Sequence, residues 1–237
     1  MEDYDSPWKE ALEYYFEEFM EFFFPQAYKE IDWGKGYEFL DKELEKVVRD
    51  AELGKRLVDK LIKVKRIGGK LWLVLIHIEI QGQKDKKFAR RMYTYNYRLF
   101  DRYNLPVASF AVLADENKNW RPNQFGYEMW GSEVGFRFSM VKLLDYEEHW
   151  KELETSRNPF AMVVMAHLRA IQTKSDPGLR MDRKLALIKK MYKEGFSKKN
   201  ILELFRFIDW IMFLPKELEL QFTEKLEKYE EAKKMAA

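Results

Sequence analysis

The spacing of apolar residues divides the chain into an α/β part and an all-helical part. Apolar positions recur at helical intervals over residues 8–24, and Pro25 predicts the end of that helix. A second short helix is predicted over residues 41–50. From Leu57 the period changes to two, which indicates that strands begin there.

The central segment predicts a β-hairpin, a helix and a further strand. Residues 57–67 alternate, a glycine pair follows, and residues 71–80 are almost continuously apolar and β-branched. Such a run is typical of a buried strand. A helix is predicted over residues 84–103, and a second buried strand over residues 106–114.

The remainder predicts two more strands and then helices alone. Residues 125–130 and 134–144 read as strands around Gly131, and residues 145–155 as a short helix. Four helices follow, over residues 158–172, 177–192, 197–213 and 214–235. The sequence therefore predicts an α/β domain over residues 1–155 and a helical region over residues 156–237.

Composition limits the class of protein. Hydrophobic residues make up 46% of the chain and aromatic residues 16%, enough to build a core. The 42 basic and 40 acidic residues give a net charge of +2, so nucleic-acid binding would depend on local patches. The absence of cysteine excludes disulfides, thiolate zinc sites and a cysteine nucleophile. With neither a leader pattern nor a membrane-length apolar run, we expect a cytoplasmic protein without membrane association.

Two acids in the predicted hairpin are candidates for chemistry. Alternation places His77, Glu79 and Gln81 on one face of the second strand, and Asp59 lies in the first. A carboxylate in so apolar a strand is costly unless it is hydrogen-bonded, protonated or beside a cation. A nearby Arg or Lys could neutralise these acids with no functional role, and His77 is interpreted as a core histidine.

The turn of the hairpin decides whether the two acids meet. If Gly68 and the following glycine alone form the turn, Asp59 lies opposite Ile78 and the acids point to opposite faces. If Lys70 is also part of the turn, Asp59 lies opposite Glu79, with Cβ atoms roughly 5 Å apart. We hypothesise the three-residue turn, with a divalent cation offsetting the repulsion between the carboxylates.

The ligand types favour a hard cation. Oxygen atoms of Asp59 and Glu79, with the carbonyl of Ile80, suit Mg²⁺ or Mn²⁺ rather than zinc. Such an ion acidifies a bound water, orients it for attack and neutralises the negative charge that develops on a substrate.

A basic cluster follows the second strand and is interleaved with aromatic residues. It is either a phosphate-binding surface or an ordinary solvated helix face over a tyrosine-rich stripe. The residues predicted to contact nucleic acid are Lys84, Lys87, Arg90, Arg91 and Tyr95.

The combination of motifs resembles a known family. An Asp on one strand and Glu-x-(Lys or Gln) on the next is the arrangement of PD-(D/E)XK nucleases, present here as Asp59 and EIQ at 79–81. Similar flanking segments are YDSPWK, IDW, FLDKEL, FARRMYTYNYR, VLAD, RPNQFGYEMWG and VKLLDY. Roughly the first 150 residues resemble the recombination-promoting nuclease and transposase family of the PD-(D/E)XK superfamily.

The resemblance implies a fold and an activity. The fold is a restriction-endonuclease-like αβββαβ core with a mixed sheet, here followed by C-terminal helices. The activity is Mg²⁺-dependent endonucleolytic cleavage of double-stranded DNA, associated with recombination or mobile elements. The resemblance also assigns Glu43 as a further acid on the first core helix. Gln81 stands where many members have Lys, so the positive charge is expected from Arg91, where the family motif has an Arg.

Two other functions agree with the same residues. One is a catalytically degenerate domain that binds DNA or protein, which the missing Lys favours. The other is a phosphohydrolase of small nucleotides, which predicts an enclosed pocket and little salt dependence of binding. The helical region could bind DNA, form a homodimer or contact another protein.

Overall fold

A computed structural model describes residues 7–42, 44, 58–68 and 73–235, with the backbone alone at 58, 59, 234 and 235. The chain forms two compact units, Met1–Asp145 and Tyr146–Ala237. The boundary predicted from sequence lies later, after residue 155, so the predicted helix over residues 145–155 falls almost wholly in the second unit.

Within the described residues, the first unit has four α-helices with both ends defined and seven strands; residues 41, 42 and 44 are also helical, and Trp33–Lys35 forms a 3₁₀ helix. The helices are α1 (Pro7–Tyr14), α2 (Phe16–Phe23), α3 (Pro25–Tyr28) and α4 (Phe88–Tyr103). The strands are β1 (Tyr37–Phe39), β2 (Val58–Lys65), β3 (Leu73–Gln81), β4 (Val107–Leu113), β5 (Gln124–Met129), β6 (Ser132–Arg137) and β7 (Ser139–Lys142).

Five of these strands form one mixed sheet in the order β1-β2-β3-β4-β7. β1, β2 and β3 are antiparallel neighbours, whereas β4 runs parallel to β3 and β7 runs parallel to β4. The helix α4 makes the crossover that a parallel β3–β4 pair requires. The predicted α/β class with a mixed sheet is confirmed at this level.

Helices cover both faces of the sheet, which is why β3 is buried along most of its length. On one face α4 packs on two apolar clusters. Their buried members are Leu44, Leu61, Leu75, Tyr95 and Leu99 in one, and Phe88, Met92, Ala111, Leu113 and Phe138 in the other. On the opposite face the N-terminal helices pack, with the rings of Phe24 and Phe110 4.5 Å apart.

Two segments predicted as continuous are divided in the structure. The first helix breaks at Tyr15, where three consecutive aromatic residues lower helix propensity. The predicted strand over residues 134–144 divides at Phe138, because β6 pairs with β5 while β7 joins the main sheet. The ring of Phe138 is buried under α4, and its amide donates to the Asn123 carbonyl at 3.0 Å.

The strands β5 and β6 form a separate two-stranded hairpin. Its base is fixed to α4, where Phe125 stacks on Tyr93 with centroids 5.1 Å apart. Its tip is a two-residue turn in which Trp130 has φ 51° and Gly131 has φ 82°. A left-handed conformation costs an L residue with a Cβ roughly 1–2 kcal/mol, so Trp130 is a strained position.

The second unit contains five helices within the described residues. They are α5 (Trp150–Thr155), α6 (Pro159–Gln172), α7 (Pro177–Lys193), α8 (Lys198–Ile211) and α9 (Lys216–Met235). Side-chain oxygens of Asn158, Asp176 and Ser197 cap the starts of α6, α7 and α8. None of the described helices is both long and apolar enough to cross a membrane.

Candidate functional site

The pairing of β2 with β3 decides the geometry of the candidate site. Asp59 is the register partner of Glu79, and Leu61 is the partner of His77. Directly paired residues of an antiparallel ladder occupy the same face of a sheet. The register predicted for the two acids is therefore present, although part of the predicted turn, at 69 and 70, lies outside the described residues.

Glu79 is a carboxylate in the middle of the main sheet. It lies between Ile78 and Ile80 on β3, has Ala111 of β4 as its other neighbour, and is 1% exposed. A carboxylate removed from water to this extent must be stabilised by hydrogen bonds or by a cation, because its desolvation costs several kcal/mol.

Arg91 supplies that cation from α4. Its Nη2 lies 2.9 Å and its Nε 3.3 Å from Glu79 Oε2. The same Nη2 donates to Gln81 Oε1 at 2.7 Å, and Nη1 donates to a carboxylate oxygen of Asp85. One guanidinium, itself 8% exposed, thus connects the end of β3 with the segment that precedes α4.

Asp85 is a member of this network that the sequence did not single out. Burial raises its pKa, but hydrogen bonds from the Lys87 amide and the Arg91 guanidinium outweigh burial, so the pKa lies below its ordinary value. Its other carboxylate oxygen, Oδ1, accepts the Lys87 amide at 2.8 Å. The sequence offered only a weak indication of this role, because an acidic residue just before a helix is common at helix N-termini.

Gln81 uses both ends of its amide. The oxygen accepts from Arg91, and Nε2 donates to the Gln83 carbonyl at 2.7 Å. The side chain of Ile80 is buried, and in the ladder its residue is paired with Val58. Whether the Ile80 carbonyl binds a cation stays a prediction.

His77 and Tyr95 lie in the core beneath α4. His77 is fully buried, with Nε2 3.8 Å from Glu79 Oε1 and its ring edge-on to Tyr95 at 5.4 Å. This placement agrees with the interpretation of His77 as a core histidine. Tyr95 is also fully buried, within the cluster of Leu61 and Leu75. Its position favours packing over the predicted contact with nucleic acid.

The remaining basic candidates lie at the surface. Lys84, Lys87 and Arg90 are exposed, as is Lys86 between them. They occupy the segment leading into α4 and its first turn, next to the residues that hold Glu79. This position provides positive charge beside the candidate site, which is what contact with a phosphate backbone requires.

The donor set fits a hard divalent cation in its chemistry. Glu79 contributes carboxylate oxygens, and Asp59 stands opposite it in the ladder; oxygen ligands of this kind suit Mg²⁺ or Mn²⁺. No group of three or more His, Cys, Asp or Glu side chains that could hold a metal ion occurs among the described residues. Glu43 lies outside those residues, and at Asp59 only the backbone is described.

Comparisons with protein-family models, with curated proteins and with solved structures find no match to this chain.

Proposed function

We propose that this chain is a metal-dependent DNA endonuclease that hydrolyses phosphodiester bonds. The observation that carries the proposal is the β2–β3 register, which sets Asp59 opposite Glu79 with Gln81 two residues further along β3. Two acids on adjacent strands and a polar residue beside them form the arrangement of PD-(D/E)XK nucleases noted in the sequence.

The order of elements supports the same proposal. Helical residues 41, 42 and 44 precede the antiparallel pair β2–β3, and α4 then crosses over to β4, which runs parallel to β3. This order is compatible in general terms with the αβββαβ core that the resemblance implies, although β1 lies before those helical residues. A fold does not establish an activity, so the residues at the end of β3 carry the proposal.

Each residue has a role in the proposed reaction. Glu79 and Asp59 would hold Mg²⁺ or Mn²⁺, which when bound supplies an acidified water and neutralises charge on the phosphate. The Gln81 amide would orient the attacking water, since it can both donate and accept. Arg91 contributes the positive charge that Gln81 lacks, and Glu43 is proposed as an additional acid.

The exposed basic residues extend this proposal to the substrate. Lys84, Lys87 and Arg90 would bind the backbone of double-stranded DNA, without reading its sequence. Cleavage of this kind would stimulate recombination or serve a mobile element. A cytoplasmic location and a homodimer stay predictions.

A degenerate, DNA-binding domain is the second candidate, and one observation favours it. Arg91 already bonds Glu79, Gln81 and Asp85, so the buried charge of Glu79 is compensated by a side chain. A chain in which this network is purely structural would bind DNA through its basic surface and cleave nothing.

Plasmid cleavage separates the two candidates. The native chain is compared with Asp59→Asn and Glu79→Gln in Mg²⁺, in Mn²⁺ and in chelator, with Asp101→Asn as a control because Asp101 is an exposed acid near the end of the same α4. All proteins are prepared identically to exclude a contaminating nuclease. We expect cleavage that needs metal and falls about 100-fold or more in the two site variants, with the control unchanged.

The outcomes are distinct. Salt-dependent DNA binding without cleavage in any metal would replace the endonuclease proposal with the binding domain. Cleavage that survives both Asp59→Asn and Glu79→Gln would show that the site lies elsewhere. Hydrolysis of mononucleotides, with no salt-dependent binding of DNA, would favour the small-nucleotide phosphohydrolase.

A further inference from the structure

The turn of the β5–β6 hairpin presents an indole ring directly to solvent. Trp130 is 98% exposed, the highest value among the large hydrophobic residues described. It occupies the first central position of a turn between the paired residues Met129 and Ser132, with positive φ at both Trp130 and Gly131. This combination is the one required by a type I′ turn, in which Asn, Asp or Gly is favoured at that first position.

A tryptophan at this position gains nothing from the fold. Its ring is not buried, and its Cβ makes the left-handed backbone unfavourable. Strained residues held at an exposed position are a feature of sites that contact something outside the chain. The observation therefore points to a ligand of the hairpin rather than to packing.

The hairpin is a supported arm with an apolar face. Tyr127 and Met129 are 54% and 58% exposed and alternate with the same period as Phe125, so they share its face. Phe125 stacks on Tyr93 of α4, which fixes the base. The five steps from Phe125 to Trp130 extend roughly 17 Å at about 3.4 Å per residue.

The charges around the base of the arm indicate the class of ligand. Arg90 lies three residues before Tyr93 on α4 and is exposed, and Lys87 lies at the start of the same helix. Near the tip, the register partners Glu128 and Glu133 occupy the face opposite Tyr127, so the strand face of Phe125, Tyr127 and Met129 has no acidic side chain. A basic surface for the backbone, combined with exposed aromatic rings for the bases, is how proteins bind phosphates and bases together.

We propose that the β5–β6 hairpin is a DNA-contacting arm, in which Trp130 stacks on or between bases of a duplex whose backbone lies on the basic start of α4. Apolar side chains inserted between base steps in this way unstack and kink a duplex. The arm is long enough, because roughly 17 Å exceeds the roughly 7.5 Å depth of the minor groove. This inference rests on the proposed function, since DNA is the substrate that the function assigns.

The test uses the full chain and a duplex that carries 2-aminopurine, whose fluorescence rises when it is unstacked. Ca²⁺ replaces Mg²⁺ to suppress cleavage. The variants are Trp130→Asn and Trp130→Ala, and the control is Trp210→Ala, a half-exposed tryptophan on α8 of the helical unit. Asn at position 130 creates the favoured Asn-Gly turn, so we expect its Tm to equal or exceed that of the native chain.

We expect both Trp130 variants to bind the duplex roughly tenfold more weakly or worse, the loss expected for one stacked base. They should also lose the rise in 2-aminopurine fluorescence and keep the salt dependence that the basic residues confer. The Trp210→Ala control should behave as the native chain.

Three results would overturn the inference. Unchanged affinity and fluorescence in Trp130→Asn, with metal-dependent cleavage intact, would remove the arm from DNA binding and leave the proposed function standing. The same result accompanied by loss of a dimer in sedimentation would assign the hairpin to self-association. Absence of DNA binding by the native chain at low salt would overturn both the arm and the endonuclease.

Discussion

Replacing Arg91 with Met tests whether the guanidinium is the counter-ion of Glu79. Met is of comparable length and apolar, so the substitution removes the charge while retaining much of the side-chain volume. Arg91 bonds Glu79, Gln81 and Asp85. All three acceptors therefore lose a charged donor at once.

The magnitude follows from burial. Glu79 is 1% exposed and Arg91 8%, so the pair is shielded from solvent, and removing one partner of such a pair costs about 3–5 kcal/mol. Glu79→Gln should cost less, because Arg91 keeps Gln81 and Asp85 as acceptors. The double variant should lose less free energy of unfolding than the two single variants lose together, by about 1–3 kcal/mol, the coupling expected for residues in one network.

Urea denaturation of the four proteins at neutral pH measures these free energies. Hydrogen exchange of the β3 amides assigns the change to the first unit, since the chain has two units and need not unfold in one step. The proposed metal site adds a second expectation. Mg²⁺ should raise the stability of Arg91→Met more than that of the native chain, because a bound cation would then neutralise Glu79 in place of Arg91.

Arg91 would not be the counter-ion of Glu79 if the free energy of unfolding of Arg91→Met were within about 1 kcal/mol of that of the native chain. The same conclusion would follow if the losses of the two single variants simply added. Either result would mean that Glu79 is stabilised by other groups. If Mg²⁺ stabilised both proteins equally, only the prediction that a cation binds at Glu79 would be contradicted.

Two further predictions concern the hairpin and the helical unit. Gly126→Ala should destabilise the β5–β6 hairpin, because a Cβ there would lie 2.7 Å from the Val134 carbonyl oxygen. Gly135→Ala is the control, because its Cβ would meet nothing within 4 Å. Hydrogen exchange of the hairpin amides distinguishes the two variants, and equal protection in both would contradict the prediction. Burial and the hydrogen bond to Glu230 raise the pKa of Tyr192 from 10.0 to about 12. The neutral hydroxyl is thus favoured in the folded state, so this stabilisation is present below pH 10 and lost as pH rises toward about 12. In Tyr192→Phe the free energy of unfolding should therefore fall less steeply between pH 10 and about 12 than in the native chain. Parallel pH profiles of the two proteins would refute this prediction.

Local sequence patterns determined most element types. Alternation and β-branched content predicted β3, which is buried along most of its length, and helical spacing predicted the helices of the second unit, such as α8. The same alternation placed Glu79 and Gln81 on one face. These features depend on residues close in sequence, whose backbone geometry is periodic, and so a single sequence contains them.

Tertiary structure decided which distant groups meet. Lys60 shares its strand face with Ile62 and Val64 and is fully buried, and its partners Glu13 and, at 2.5 Å, Asp41 come from segments that alternation does not identify. Arg91 meets Glu79 for the same kind of reason, since the crossover of α4 over β3 brings them together. The sequence alone left the β2–β3 register open between two turn lengths, and the paired ladder selected one of them. A register depends on hydrogen bonds across strands and on burial of one whole face, neither of which is a property of a local segment.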